Sequence, residues 1–211
     1  MQSRSEPDAG TFEKWMALVL PWLERQGKRL YGAHFRLYEE DHLLLGRLLA
    51  YASGNREAAS AKGLSLRKGV LLTGPVGCGK TSLMTLLRLL LPAEDRYRVL
   101  SCRQVSFAFQ QVGYGVIGRY STGPGNKPAV YCFDDLGTEP VQRHYGSSCQ
   151  VMGEVLLSRY DLFVSSGLKT HLTTNLTSAE IEQAYGLRVR SRMREMFNLV
   201  SFPGSAEDKR R

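Results

Sequence analysis

The sequence predicts an α/β fold: a three-layer sandwich with a five-stranded parallel sheet covered by helices. Three observations carry that expectation. Short apolar runs alternate with helical patterns along most of the chain, and strands separated by helices pair in parallel. A glycine-rich stretch, GPVGCGKT, follows the first apolar run and opens a helical segment. Two later apolar runs end in polar groups, AVYCF in a pair of acids and HLTT in an asparagine. In a parallel sheet such strand ends gather on the edge where ligands bind.

The elements follow in order. Residues 1–10, MQSRSEPDAG, are polar and read as disordered. Thr11 to about Tyr31 reads as an amphipathic helix bent or broken at Pro21. Asp41 is placed to cap a second helix, HLLLGRLLAYA, which stops near Ser53-Gly54-Asn55. Residues 11–63 therefore make a helical extension, residues 64–203 the α/β core, and residues 204–211 a basic tail. The core strands are GVLLTG (69–74), RYRVLSC (96–102), AVYCF (129–133), THLTT (170–174) and NLVSF (198–202). Between them TSLMTLLRLLL, VSFAFQQV, VIGRY and CQVMGEVLLSRYDLFV read as helices, with one long helix between the third and fourth strands. Thr177 and Glu180 form a capping box for SAEIEQAYG, and a short helix over 188–196 precedes the last strand. Only nine residues follow Phe202, so no more than a minimal C-terminal helical lid is expected.

Composition narrows the function. The 211 residues are 43% hydrophobic and 23% charged, enough for one core domain with a small extension. A net charge of +8 and a pI near 9.5 favour phosphate-bearing partners, nucleic acid first, although a basic soluble enzyme has the same balance. No segment approaches the roughly eighteen apolar residues of a membrane span, and the N-terminus lacks a signal-peptide core. Cys78, Cys102, Cys132 and Cys149 form no CxxC pair, and His34, His42, His144 and His171 share no spacing. Neither a zinc site nor a disulfide framework is expected, and the chain reads as a reduced cytoplasmic protein.

GPVGCGKT, Gly74 to Thr81, matches G-x-x-x-x-G-K-[ST] in the strand-to-helix context that this motif requires. The glycines let the backbone of Gly74, Pro75, Val76, Gly77, Cys78 and Gly79 turn tightly. The N–H groups from there to Lys80, Thr81 and Ser82 can then converge on phosphate at a helix N-terminus. Lys80 would reach the β- and γ-phosphates of ATP, and the Thr81 hydroxyl would ligate Mg²⁺. A second glycine set, Gly113, Gly115 and Gly118, spells G-x-G-x-x-G but follows a helical segment and reads as loop.

Asp134 and Asp135 end the third strand. Asp134 would hold Mg²⁺ and Asp135 would polarise the attacking water, because two adjacent carboxylates at a strand end are costly without a cation. Asn175, at the end of the fourth strand, would orient that water, and Glu139 stands close enough in sequence to take part. The stretch RVRSRMREM carries Arg188, Arg190, Arg192 and Arg194 on alternate positions. As a strand it has one charged face. As a helix it pairs Arg188 with Arg192 and Arg190 with Arg194 on opposite sides. It also reads as an ordinary basic surface helix.

Taken together, GPVGCGKT, FDDLG, TTN and YGLRVRSRM resemble an AAA+ P-loop NTPase, and more closely the DnaC/IstB-like family of helicase loaders and transposition helper ATPases. The resemblance spans about residues 64–202. It implies that Arg192, in the S-R pair, acts on ATP bound by a neighbouring subunit, with Arg188 one turn earlier supporting it. Arg190 and Arg194 are left to Glu195, solvent or DNA. It also implies a homo-oligomer formed with ATP, DNA (single-stranded above all) as a partner, and a helicase or transposase as the protein delivered or regulated. Asp135 stands where many AAA+ proteins have Glu, so slow hydrolysis, stimulated by DNA or assembly, is expected. Arg103, Arg119 and Lys127 with Tyr114 and Tyr120 combine basic and aromatic side chains suited to single-stranded nucleic acid, or to plain surface. Trp15, Leu18, Trp22 and Leu23 would bind a partner or pack on the chain's own core. Cys78 reads as a small buried residue or an oxidation-sensitive one. Two other functions remain open: a small-molecule or nucleotide kinase, and a non-enzymatic DNA-binding module that holds ATP as a structural ligand.

Overall fold

The structure is a computed structural model that describes residues 9–144 and 146–210. The chain forms two compact units. The first runs to Leu66 and takes in Ser82–Ala93; the second comprises Arg67–Thr81 and the chain from Glu94 onward.

The first unit begins with α1 (Ala9–Tyr31), α2 (His42–Ser53) and α3 (Arg56–Ala61). Residues 1–8 of the segment expected to be disordered lie outside the described residues. Of the bend or break expected at Pro21, a break does not occur, and α1 runs through it. Pro21 and Ala17, whose carbonyl loses its helical donor there, are both exposed, so water can satisfy that carbonyl. Phe12, Leu23, Leu49, Ala50 and Leu86 form the core of this unit, with Trp15 and Trp22 packed against it, whereas Leu18 is 76% exposed. Asp41 precedes α2 but makes no capping bond. Helix α3 was not expected from the sequence. Asn55 caps it by accepting from the Ala58 N–H at 2.9 Å, and its six residues are too few to show a period.

The second unit holds β1 (Gly69–Thr73), the start of α4 (Lys80–Leu87), β2 (Arg98–Ser101), α5 (Cys102–Val112), α6 (Gly115–Ser121) and β3 (Tyr131–Leu136). It continues with β4 (Gln142–His144), β5 (Ser147–Cys149), α7 (Val151–Ser166), β6 (Thr170–Thr174), α8 (Ser178–Met196) and β7 (Phe197–Ser201). The expected five-stranded parallel sheet is present, in the order β2-β3-β6-β1-β7 and flanked by helices. Strands β1 and β6 are almost wholly buried, which is why they read as continuous apolar or Thr-rich runs without alternation. One feature escapes the sequence reading: β4 and β5 form an antiparallel hairpin between the third sheet strand and α7. Strands of three residues, QRH and SSC, carry no pattern to detect. After β7 the described residues form turns and no helix. Among the described residues no helix is long and apolar enough to cross a membrane.

The main core packs Phe109, Val116, Tyr131, Phe133, Val151, Met152, Val155, Leu156 and Leu172 with Val189, Met193 and Met196 of α8. Inside it lies Arg159, with no exposed surface. Its Nε donates to the Thr170 hydroxyl at 2.6 Å, Nη1 to the carbonyls of Tyr120 and Ser121, and Nη2 to those of Ala129 and Lys169. The guanidinium also faces the Tyr131 and Phe133 rings at 5.1 and 5.8 Å. Burial lowers its pKa to about 10, so it stays charged at neutral pH. The planar fork is what meets five oxygens at once. Arg159→Lys keeps the charge and loses most of those bonds. It should cost about 3 kcal/mol in a urea melt, and a loss under about 1 kcal/mol would show that the fork is dispensable.

His171 is equally buried in β6, packed against Tyr97 in a tilted arrangement with ring centroids 4.4 Å apart, and its Nδ1 accepts the Val70 N–H at 3.2 Å. Burial, with Lys169 and Arg159 nearby, pushes its pKa down to about 3. The unfolded chain takes up this proton near pH 6.5 and the folded chain does not, so stability falls as pH drops from about 6.5 towards 3. His171→Asn keeps an acceptor and removes the titration. The stability gap between wild type and variant should be widest above pH 6.5 and narrow below it; a gap constant with pH would contradict a neutral buried imidazole.

Candidate active site

The candidate site stands at the carboxyl edge of the sheet, where β1, β3 and β6 end side by side. The phosphate loop leaves β1 with Gly77 at φ 82 and Gly79 at φ 98, conformations that L side chains resist. A Cβ at Gly79 would meet nothing within 4 Å, whereas at Gly77 it would lie 2.1 Å from the Asp208 carboxyl carbon. Residue 209 also touches the loop: its N–H donates to the Gly77 carbonyl at 3.1 Å, and its ammonium lies over the Phe202 ring at 5.1 Å. The tail expected to be basic thus passes along the loop, with Asp208 beside Gly77. Arg211 lies outside the described residues.

Lys80 is buried, and its ammonium donates to the Gly74 and Pro75 carbonyls at 2.9 and 2.7 Å. Cys78 is buried beneath the loop and Val76 is exposed at its tip. Ser82 is half-buried. All four cysteines are buried and none is in a disulfide.

Thr81 and Asp134 come together as the sequence implies. The Thr81 hydroxyl lies 3.0 and 2.9 Å from the two carboxylate oxygens of Asp134. A third residue, which sequence reasoning missed, completes the group: the Thr173 hydroxyl donates to Asp134 at 2.7 Å and accepts the Asp135 N–H at 2.9 Å. The signal for it was a strand, THLTT, with hydroxyls at positions that proved fully buried. Asp135 has φ 56, the one positive φ among non-glycine described residues. It sits where β3 slips register against β6 between Phe133 and Leu136. Such a bulge re-aims side chains at a strand end.

Burial raises the Asp134 pKa, and the Asp135 charge adds to it. Hydrogen bonds from Thr173 and Thr81, with the Lys80 ammonium, act the other way, and the net shift is upward. An ionised carboxylate in this position is therefore under-compensated by the protein alone. A hydroxyl and a carboxylate in contact beside a glycine-rich loop at a helix start are the hard oxygen donors that Mg²⁺ takes together with nucleotide phosphates, so the residues present fit that ion. Among the described residues no group of three or more His, Cys, Asp or Glu side chains is arranged to hold a metal by itself.

Asn175 is exposed directly after β6. The four arginines lie in the second half of α8, beyond a break at Gly186, where φ is 86 and ψ 161. Helix, not strand, is the correct reading. The buried stripe is Val189, Met193 and Met196, and the arginines flank it. Arg188 and Arg194 are exposed. Arg190 pairs with Glu182 and Ser178. The Arg192 guanidinium stacks over Tyr160 at 4.2 Å, donates to its hydroxyl at 3.0 Å and lies 3.6 Å from Glu195. Glu195 therefore serves Arg192, and neither Arg190 nor Arg194. Within its own chain Arg192 is bound to α7, not to the phosphate loop. Arg103, Arg119, Lys127 and Tyr114 are exposed, while Tyr120 packs on the core.

The sequence matches no protein-family model and no curated protein. Solved structures share the fold. A protein assigned as a primosome component of Streptococcus pyogenes serotype M3 superposes with a TM-score of 0.56 at 18% identity, over 81% of this chain and 83% of that one. A DNA replication initiation factor superposes with a TM-score of 0.51 at 19% identity, over 80% of this chain and 47% of that one.

Because the folded pKa of Asp134 lies above its ordinary value, stability declines as pH rises between those two values, and the ionised group is a liability at neutral pH. Asp134→Asn should therefore melt at a higher temperature than wild type without divalent cation. It should also lose the extra stabilisation that Mg²⁺ with nucleotide gives wild type. A variant that melts lower than wild type in EDTA would contradict this balance.

Proposed function

We propose that this chain is an AAA+ ATPase of the DnaC/IstB-like type. It binds ATP with Mg²⁺, assembles on DNA in its ATP-bound form, and loads or regulates a partner, a replicative helicase or a transposase. The observation that carries the reading is the contact of Thr81, Asp134 and Thr173 beside the Lys80 loop, on a fold shared with a primosome component and a replication initiation factor.

In this reading Lys80 exchanges its two loop carbonyls for the β- and γ-phosphates, and the loop N–H groups fix the same phosphates. Thr81 and Asp134 hold the metal ion, which when bound neutralises charge on the phosphate oxygens. Asp135, turned out of the strand by its positive φ, polarises the attacking water, and Asn175 from the adjacent strand end orients it. Arg192, supported by Arg188, reaches the ATP of a neighbouring subunit and offsets the charge that develops during transfer, an effect worth several orders of magnitude in rate. The net charge of +8 suits the DNA backbone.

Light scattering with no nucleotide, with ADP and with a non-hydrolysable ATP analogue, each with and without single-stranded DNA, tests this. Assembly should appear with the analogue and be lost in Lys80→Ala and in Arg192→Ala. Steady-state hydrolysis should fall by about 10³-fold or more in Arg192→Ala while that variant still binds ATP. A monomer under every condition would remove the shared-site reading.

A further inference from the structure

Glu139 is a carboxylate with only 7% of its surface exposed, and both of its oxygens are engaged. Oε2 accepts the Gly137 N–H at 2.9 Å, and Oε1 accepts the Tyr185 hydroxyl. Gly137 belongs to the turn that fixes Asp135: the Thr138 N–H and hydroxyl both donate to the Asp135 carbonyl, at 3.3 and 2.8 Å. Tyr185 is the last residue before Gly186, where α8 breaks and the arginine-bearing half begins. One buried side chain therefore joins the acidic strand end to the hinge of the arginine helix.

Burial explains the chemistry of the pair. It raises the Glu139 pKa, the Tyr185 hydrogen bond opposing it, and it raises the Tyr185 phenol as well, the Glu139 charge adding to that. The phenol keeps its proton and stays a donor. An apolar side chain at 139 would avoid the desolvation cost of a buried carboxylate. What the carboxylate adds is a directed connection between two segments that β4, β5, α7 and β6 separate in sequence.

We propose that Glu139 and Tyr185 are positioning residues that couple Asp135 in a chain's own nucleotide site to the arginine helix serving the neighbouring site. The proposal rests on the function put forward above. When the turn at Asp135 tightens around bound nucleotide, Glu139 moves with the Gly137 amide, and Tyr185 passes that shift to the residue on which the second half of α8 pivots. The device lets one subunit's nucleotide state set the placement of Arg188 and Arg192 at the next.

Hydrogen exchange on wild type, Tyr185→Phe and Glu139→Gln, with and without Mg²⁺ and a non-hydrolysable ATP analogue, tests the link. Without nucleotide, Tyr185→Phe should speed exchange about tenfold in both 136–138 and 187–196, the loss of one hydrogen bond to a charged group, and leave β1 and β6 unchanged. The analogue should slow both segments in wild type and only 136–138 in Tyr185→Phe. Glu139→Gln, which keeps the shape and removes the charge, should fall between the two. Turnover should drop about tenfold in Tyr185→Phe with nucleotide affinity unaltered, since neither residue touches the phosphate loop. Loosening of one segment alone, or of neither, overturns the link. Both segments loosened in Tyr185→Phe, with no response of wild type to the analogue, would overturn the nucleotide reading and not the link.

Discussion

One hydroxyl holds the site together. Thr173 stands in β6 between the strand that leads to the phosphate loop and the strand that carries the acids, and it bonds to both Asp134 and the Asp135 backbone. Its two bonds run in opposite senses. As donor it shares the Asp134 charge with Thr81; as acceptor it takes the amide that a register slip would otherwise leave without a ladder partner. The bulge is thereby fixed with Asp135 in a conformation that a non-glycine residue rarely adopts. Lose that hydroxyl and the slip has no anchor, the strained residue has no reason to remain strained, and Asp134 keeps only Thr81.

The two edges of the sheet are built to opposite ends. At the amino edge, the starts of β3 and β6 and the end of α6 are gathered by Arg159, whose donors meet only neutral oxygens and whose faces meet aromatic rings. That edge is satisfied by the protein alone. At the carboxyl edge the donors fall short: Asp134 is raised by burial faster than its hydroxyl partners lower it, and Lys80 spends its charge on two carbonyls. The imbalance has the sign that a bound polyphosphate with a divalent cation would correct, since the phosphate takes the ammonium and the cation takes the carboxylate.

How much of this could be read from the sequence follows from where the signal lies. The sheet strands came out within about two or three residues of their true bounds; burial on both faces makes the central strands β1, β3 and β6 apolar or Thr-rich runs, whereas the edge strands β2 and β7 are partly exposed. The glycine turn between β1 and α4 was legible because Gly74, Gly77 and Gly79, all at positive φ, stand directly before a Lys-Thr helix start. Thr173 was not, since a buried hydroxyl in a β-branched strand looks like an ordinary strand residue until its partners are seen. Arg159 left a sign that was not taken up: it falls on the stripe Met152, Val155, Leu156 of α7, where an apolar residue belongs. Pro21 does not break α1, and the carbonyl that it leaves without a helical donor, that of Ala17, is exposed to water.

The row of alternate arginines has a physical origin in the same periodicity. A helix that buries Val189, Met193 and Met196 leaves positions 188, 190, 192 and 194 along its two flanks. Alternation in the sequence is therefore the shadow of an apolar stripe rather than of a strand. The flanks differ in what they meet. One offers Glu182 and Ser178 from the first half of the same helix, and Arg190 is consumed there. The other offers Tyr160 and Glu195, which hold Arg192 by stacking on the ring, a hydrogen bond to its hydroxyl and a long ion pair at the surface. Contacts of that kind are individually worth about 1 kcal/mol or less when exposed. In the proposed assembly, a polyphosphate on a neighbouring subunit would present several charges to one guanidinium and be the stronger partner. The proposed role of Arg192 in trans asks only that these cis contacts yield to such a partner, and their small individual worth allows it.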